Sequence, residues 1–77
     1  MEPTIGEAIK FLRKKRGMSA RKLSQLAGLS ESYISKLESN NCDPSLSTFS
    51  KIVQVLEMSD LELIFIIRIA NRGKIDK

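Results

Sequence analysis

Histidine is absent from this 77-residue chain, and Cys42 is its single cysteine. Without a second thiol no intrachain disulfide can form, and without imidazoles the soft ligands of a zinc site are missing. No histidine is present to act as a base, and neither a metal cluster nor a glycine-rich phosphate loop can be read, so an enzyme is not expected. Cys42 has no clear cationic neighbour to make it a thiolate, which leaves it a spare loop thiol. Long apolar runs are lacking too. The longest is Leu63 to Ile67, far below the ~20 residues that span a bilayer. Met1 to Lys15 has no apolar stretch of the signal-peptide kind,. The expectation is a soluble, cytoplasmic protein without membrane association, cofactor, metal or small-molecule ligand; one thiol fits that reducing compartment.

One further absence is local. No acid lies between Glu7 and Glu31, whereas Lys10, Arg13, Lys14, Lys15, Arg16, Arg21 and Lys22 all do. The net charge of +4 therefore understates a basic N-terminal half. A polyanion, either a nucleic acid or an anionic membrane surface, is the direct physical reading of such a stretch. Its bland alternative is a merely solvated face.

What is present repeats at helical spacing in five segments, with no β-hairpin signal. Thr4 and Glu7 form a capping box ahead of Ile5, Ala8, Ile9 and Leu12, and Gly17 closes the first segment,. Ser19 opens the second, which turns Leu23, Leu26 and Ala27 inward and stops at Gly28,. Ser30 opens the third, with Ile34 and Leu37 inward; Asn40 to Pro44 is a loop by composition,. The fourth starts near Ser45 and directs Leu46, Phe49, Ile52, Val53 and Leu56 to the core. Ser59 and Glu62 form a second capping box for the fifth, which runs to about Ala70, leaving 71–77 frayed,. The fold class is all-α: a compact five-helix bundle in one domain over residues 1–77, its core at about 4–70,. A lone core of this size contributes about 5 kcal/mol, so tight packing or oligomerisation must supply the rest.

The turn between the second and third segments is too short for antiparallel packing, and Gly28 stands where a left-handed residue ends the helix. The outer face of the third segment stays polar, with Glu31, Ser32, Ser35, Lys36 and Ser39, and Tyr33 partly exposed. The stretch Met18 to Glu38 resembles the helix-turn-helix of the lambda-repressor and Cro-like, or XRE, family of DNA-binding transcriptional regulators. Leu12-Arg13-x-x-Arg16-Gly17-Met18-Ser19, Pro44-Ser45-Leu46 and Phe49-x-x-Ile52-Val53-x-x-Leu56 fit it as well, so the similarity covers about residues 5–70.

That resemblance implies a lambda-repressor-like domain binding double-stranded DNA, with a helix-turn-helix at about 19–38 and a recognition helix at about 30–39 in the major groove. It puts Glu31, Ser32, Tyr33 and Lys36 within reach of base edges: Lys36 toward guanine, Glu31 toward cytosine N4, Ser32 toward either. Tyr33 is equally readable as a ring tucked beside Ile34, and Glu31 as an acid on the helix dipole. Phosphate-backbone contacts are implied for Ser19, Arg21, Ser30, Ser35, Asn40 and Asn41. Two positions depart from the family: Ala20 stands where a Gln often reaches a phosphate, and Asn40 where a glycine is common. Arg13 and Glu38 resemble a family ion pair linking the first helix to the third; the other reading is two exposed charges worth almost nothing.

The fifth segment is apolar on nearly every face. Leu61, Ile64 and Phe65 are expected to cap the bundle, leaving Leu63, Ile66, Ile67 and Ala70 as a patch for a dimer interface. A homodimer on a pseudo-palindromic operator, acting as a repressor or controller protein, is the leading expectation. The alternatives are burial of the fifth helix within one unusually tight bundle, or an antitoxin-like interaction protein whose fifth helix holds another polypeptide.

Overall fold

The start of every helix is set by a hydroxyl. In a computed structural model describing residues 4–75, with side chains through residue 70, the chain forms α1 (Ile5–Lys15), α2 (Ala20–Ala27), α3 (Glu31–Glu38), α4 (Leu46–Leu56) and α5 (Asp60–Ile75). The Oγ atoms of Thr4, Ser19, Ser30, Ser45 and Ser59 accept from the backbone N–H three residues on, at 3.0–3.2 Å. Each cap satisfies a donor that the helix itself cannot, worth about 1 kcal/mol. Thr4 and Ser59 complete the box, since their own N–H groups donate to Glu7 and Glu62 at 3.0 Å.

The helix ends follow one pattern as well. Gly17, Gly28, Asn40 and Glu57 take the left-handed conformation with φ of 67°, 69°, 67° and 52°. After each, the next N–H donates back to a helix carbonyl: Met18 to Arg13, Leu29 to Ser24, Asn41 to Lys36, Met58 to Val53. These are Schellman-type closures, and they turn the chain sharply four times. Glycine and asparagine accept that conformation readily; Glu57 does so at a cost of about 1 kcal/mol.

Sharp turns bring the apolar stripes together. Ile9 and Leu12, Leu23 and Ala27, Ile34 and Leu37, Ile52 and Leu56, and finally Ile66 meet in one core. There α2 packs on α3 and α4, and α1 packs on α3 and α5. The approach of α1 to α3 is close. A Cβ on Gly6 would collide with the Leu37 carbonyl, so the first turn of α1 rests on the last turn of α3, backbone against backbone.

Several expectations need correction. Leu26 is 52% and Leu46 84% exposed. The short α2 presents Leu23, Ser24 and Ala27 inward, which turns Leu26 away; Leu46 is the first residue of α4, ahead of Phe49, where that helix reaches the core. Phe49 and Val53 are only half-buried. In the fifth helix the faces are rotated. Ile66, expected on an exposed patch, lies in the core at 1% exposure. Leu63 and Ala70 are half-buried. Leu61, Ile64 and Phe65, expected to cap the bundle, face solvent with Ile67 at 79%, 47%, 49% and 46% exposure.

The cause of the rotation is polar. Arg16 donates to Glu62 at 2.6 Å, and fixing Glu62 against α1 carries Ile66, one turn later, inward with it. The Ser59 N–H and the Arg16 guanidinium hold the Glu62 carboxyl below the usual carboxylate range. Residues 71–75, expected to fray, continue α5 to Ile75, as a stretch without proline can; residues 76 and 77 lie outside those described. Replacing Ile66 by Ala should lower stability by about 2–4 kcal/mol, against within about 0.5 kcal/mol for Leu46→Ala. Equal losses in urea denaturation at one chain concentration would place Ile66 outside the core.

Candidate nucleic-acid interface

The exposed face of α3 depends on what holds its back. Ile34 and Leu37 are buried at 0% and 1% exposure, and helical spacing then turns Glu31, Ser32, Ser35 and Lys36 outward, all exposed. Tyr33 is half-buried and packs against the core. Behind the last turn, Arg13 donates from Nε to Glu38 Oε2 at 2.7 Å and from Nη2 to Oε1 at 2.9 Å, a forked pair. Its Nη1 donates to the Met18 carbonyl at 2.7 Å. One guanidinium thus holds the end of α3 and the lead-in to α2. The two side chains are only 8% and 7% exposed. The bond to Glu38, outweighing burial, raises the Arg13 pKa above its ordinary value.

Charge is distributed less broadly than the sequence implies. Of the seven cations before Glu31, Arg13 is engaged by Glu38, and Arg16 and Lys15 approach Glu62 at 2.6 and 3.7 Å. Of the seven, Lys10, Lys14, Arg21 and Lys22 are outside ion pairs, as is Lys36 on α3. The expectation of seven cations facing one polyanion is therefore corrected to this smaller set. Arg21 and Lys22 belong to the first turn of α2, beside Ser19. Glu31 is exposed in the first turn of α3.

The hydroxyls are partly committed. Ser19 and Ser30 accept from Lys22 and Tyr33 N–H groups at 3.0 Å, which leaves their O–H free to donate outward. Ser35 is exposed, and its carbonyl accepts from Ser39 Oγ at 2.9 Å. Asn40 and Asn41 lie behind the end of α3. The Asn40 amide oxygen sits beside Gly6, and Asn41 Nδ2 donates to Ser39 Oγ at 3.2 Å. Cys42 is half-buried against the core, and no group of three metal-ligating side chains occurs among the described residues. Nor is any described helix long and apolar enough to cross a membrane.

Two short helices at a sharp turn, gripped from behind and presenting a polar outer face, are matched by the helix-turn-helix family over residues 9–63. The chain belongs to that family, as an XRE-type member. The regulator SinR of Bacillus subtilis (strain 168) is 39% identical over 56 residues, covering 71% of this chain and 50% of SinR. The chain thus spans about half the length of the curated relatives it matches. SinR solved in complex with DNA superposes with a TM-score of 0.71 at 37% identity, covering 79% of this chain and 98% of that one. The restriction-modification controller protein C.AhdI from Aeromonas hydrophila gives 0.71 at 30% identity, covering 77% and 89%.

Sequence reasoning had no role for Gly6 or the Met18 carbonyl, and read Arg16 only as one of the seven cations and as part of the family pattern. Gly6 carries no mark distinguishing it from an incidental helical glycine, and a backbone acceptor has no sequence signature. Glu62 was legible as a cap but not as the partner of Arg16, which is 46 residues away. Because the Arg13–Glu38 pair is enclosed, Glu38→Ala should cost about 3 kcal/mol by stranding the guanidinium. Arg13→Met with Glu38→Leu should cost clearly less than the two single changes summed. Additive losses in chemical denaturation would mean the pair is not coupled.

Proposed function

We propose that this protein is a homodimeric transcriptional regulator that binds double-stranded DNA sequence-specifically, inserting α3 in the major groove. The observation that carries the reading is the pairing of an exposed polar α3 face with a rear clamp made by Arg13 and Glu38. A rigid support behind freely exposed donors and acceptors is what base readout requires. Lys36 has reach and charge for guanine O6 and N7, Ser32 can donate or accept, and Glu31 can accept from cytosine N4. Tyr33 contributes the edge of a half-buried ring. Around them Ser19, Arg21, Ser30 and Ser35, with the N-termini of α2 and α3, are suited to phosphates. Asn40 and Asn41 are the weaker members of that set, since their side chains turn toward Gly6 and Ser39. The likeness to SinR, solved in complex with DNA, supports DNA as the partner.

The dimer reading moves to a new stripe. Leu61, Ile64, Phe65 and Ile67 are exposed on α5, whereas Ile66 cannot contribute and Leu63 and Ala70 can do so only at their edges. Ile64, Phe65 and Ile67 are already about half covered, so burying the remainder of each at a partner is worth about 1 kcal/mol, and Leu61 about 2 kcal/mol, per subunit; summed over two subunits this is of the order a micromolar dimer needs. Two subunits related by a two-fold axis then read a pseudo-palindromic operator. The same stripe supports a second reading, an antitoxin-like hold on a different polypeptide.

Affinity for duplex DNA should fall steeply with salt. With about 6 phosphates neutralised per dimer, the log–log slope is about −5; a flat response removes DNA as the partner. Lys36→Ala and Ser32→Ala should each cost about 1–3 kcal/mol on the selected site and far less on random duplex. No loss from either would show that α3 is not the reading helix.

Phe65→Glu should leave helicity unchanged while shifting sedimentation from dimer to monomer. If the unaltered chain is already a monomer at high micromolar concentration, the stripe belongs to a different polypeptide.

A further inference from the structure

Two arginines three residues apart, Arg13 in the last turn of α1 and Arg16 at its C-cap, each reach a carboxylate on another helix. Arg13 takes Glu38 at the end of α3, and Arg16 Nη2 takes Glu62 Oε1 at 2.6 Å. Arg16 also donates to the Leu12 carbonyl at 3.2 Å and to the Glu57 carbonyl at 3.5 Å, where the chain leaves α4. The same Glu62 oxygen accepts the Ser59 N–H at 3.0 Å, and Lys15 Nζ lies 3.7 Å from Oε2. One guanidinium therefore ties together α1, the cap of α4 and the first turn of α5.

Little else orients α5. Of its described side chains only Ile66 is fully buried. Ile69 packs against the core beside it and Leu63 is half-buried, so the apolar hold lies along the middle of the helix, and a second, polar fixed point in its first turn sets the angle about that hold. Glu62 is that second point. A partly exposed ion pair adds little stability, but a guanidinium with several acceptors is directional. Because Arg13 lies in the last turn of α1 and Arg16 caps that helix, α3 and α5 are both referenced to the same body.

We propose that Arg16 and Glu62 form a positioning pair that fixes the angle between α5 and α3, and thereby sets the half-site spacing that the dimer accepts. This rests on the dimer reading above, since two recognition helices have a defined separation only when α5 joins the subunits at a defined angle. Neither residue touches DNA in this scheme.

The test uses duplexes selected by the unaltered protein from a random library, remade with the two half-sites shifted by one and two base pairs. Arg16→Gln removes the guanidinium, Glu62→Gln removes the charge while leaving an acceptor for Ser59, and Arg16→Lys keeps charge without the several directed donors. Each protein is also followed by sedimentation and circular dichroism. The unaltered dimer should prefer its selected spacing by about tenfold or more. Arg16→Gln and Glu62→Gln should stay folded, dimerise within about threefold of the unaltered protein, and lower that preference to about threefold or less. Arg16→Lys should fall between. An unchanged preference in folded, dimeric Arg16→Gln overturns the positioning role and leaves the dimer standing. A monomeric unaltered protein overturns both. Should Arg16→Gln not fold, Glu62→Gln decides alone, and an unchanged preference there has the same meaning.

Discussion

The forked contact between Arg13 and Glu38 is the constraint on which the presented surface depends. It lies almost out of solvent, so neither partner has water to fall back on, and breaking it leaves an uncompensated charge in the interior. Its third bond, to the Met18 carbonyl, extends the hold to the segment that launches α2. A helix of eight residues such as α3 has too few turns to hold its own shape in water. It is straight and fixed because Ile34 and Leu37 anchor one side and Glu38 anchors its end. The polar face is a by-product of that anchoring: whatever is not needed to hold α3 is turned outward.

Local chemistry was legible in the sequence, and relative rotation was not. The caps at Thr4, Ser19, Ser30, Ser45 and Ser59 could be read directly because a hydroxyl satisfies an N–H only three residues away. Gly28 and Asn40 could be read as left-handed for the same reason: the conformation is a property of one residue. Glu57 could not, since glutamate has no preference for it and the turn is imposed by where α5 must go. Leu26 and Leu46 were misplaced because an apolar residue near the end of a short helix lies inside or outside depending on what the neighbouring helix covers. The set Glu31, Ser32, Lys36 and Ser35 follows from periodicity and is exposed as periodicity requires. Arg13 with Glu38 came from family likeness, as a contact across 25 residues leaves no local trace.

The fifth helix is the instructive failure. A segment apolar on all sides contains no information about its own rotation, because every face satisfies the rule that apolar residues go inside. The information lies in its polar exceptions. Glu62 has a partner in Arg16, and once that pair is made Ile66 has only one place to go. Charged residues in an apolar helix are therefore its register marks, and here a single carboxylate decides which four large side chains face water.

The same arrangement makes α5 the part of the molecule easiest to release. Its attachment consists of one enclosed isoleucine, a half-buried flank and a partly hydrated ion pair, whereas the other four helices interlock through paired core residues. Stability in such a structure is not uniform, and the weakest unit opens on its own, ahead of global unfolding. Undocking of α5 would uncover Ile66 beside Ile64 and Phe65, a stickier state than the resting one. A neighbour seated on the outer stripe raises the cost of that excursion without touching the buried side at all. Assembly on that stripe would then act as a lock on α5, and dilution would loosen both together.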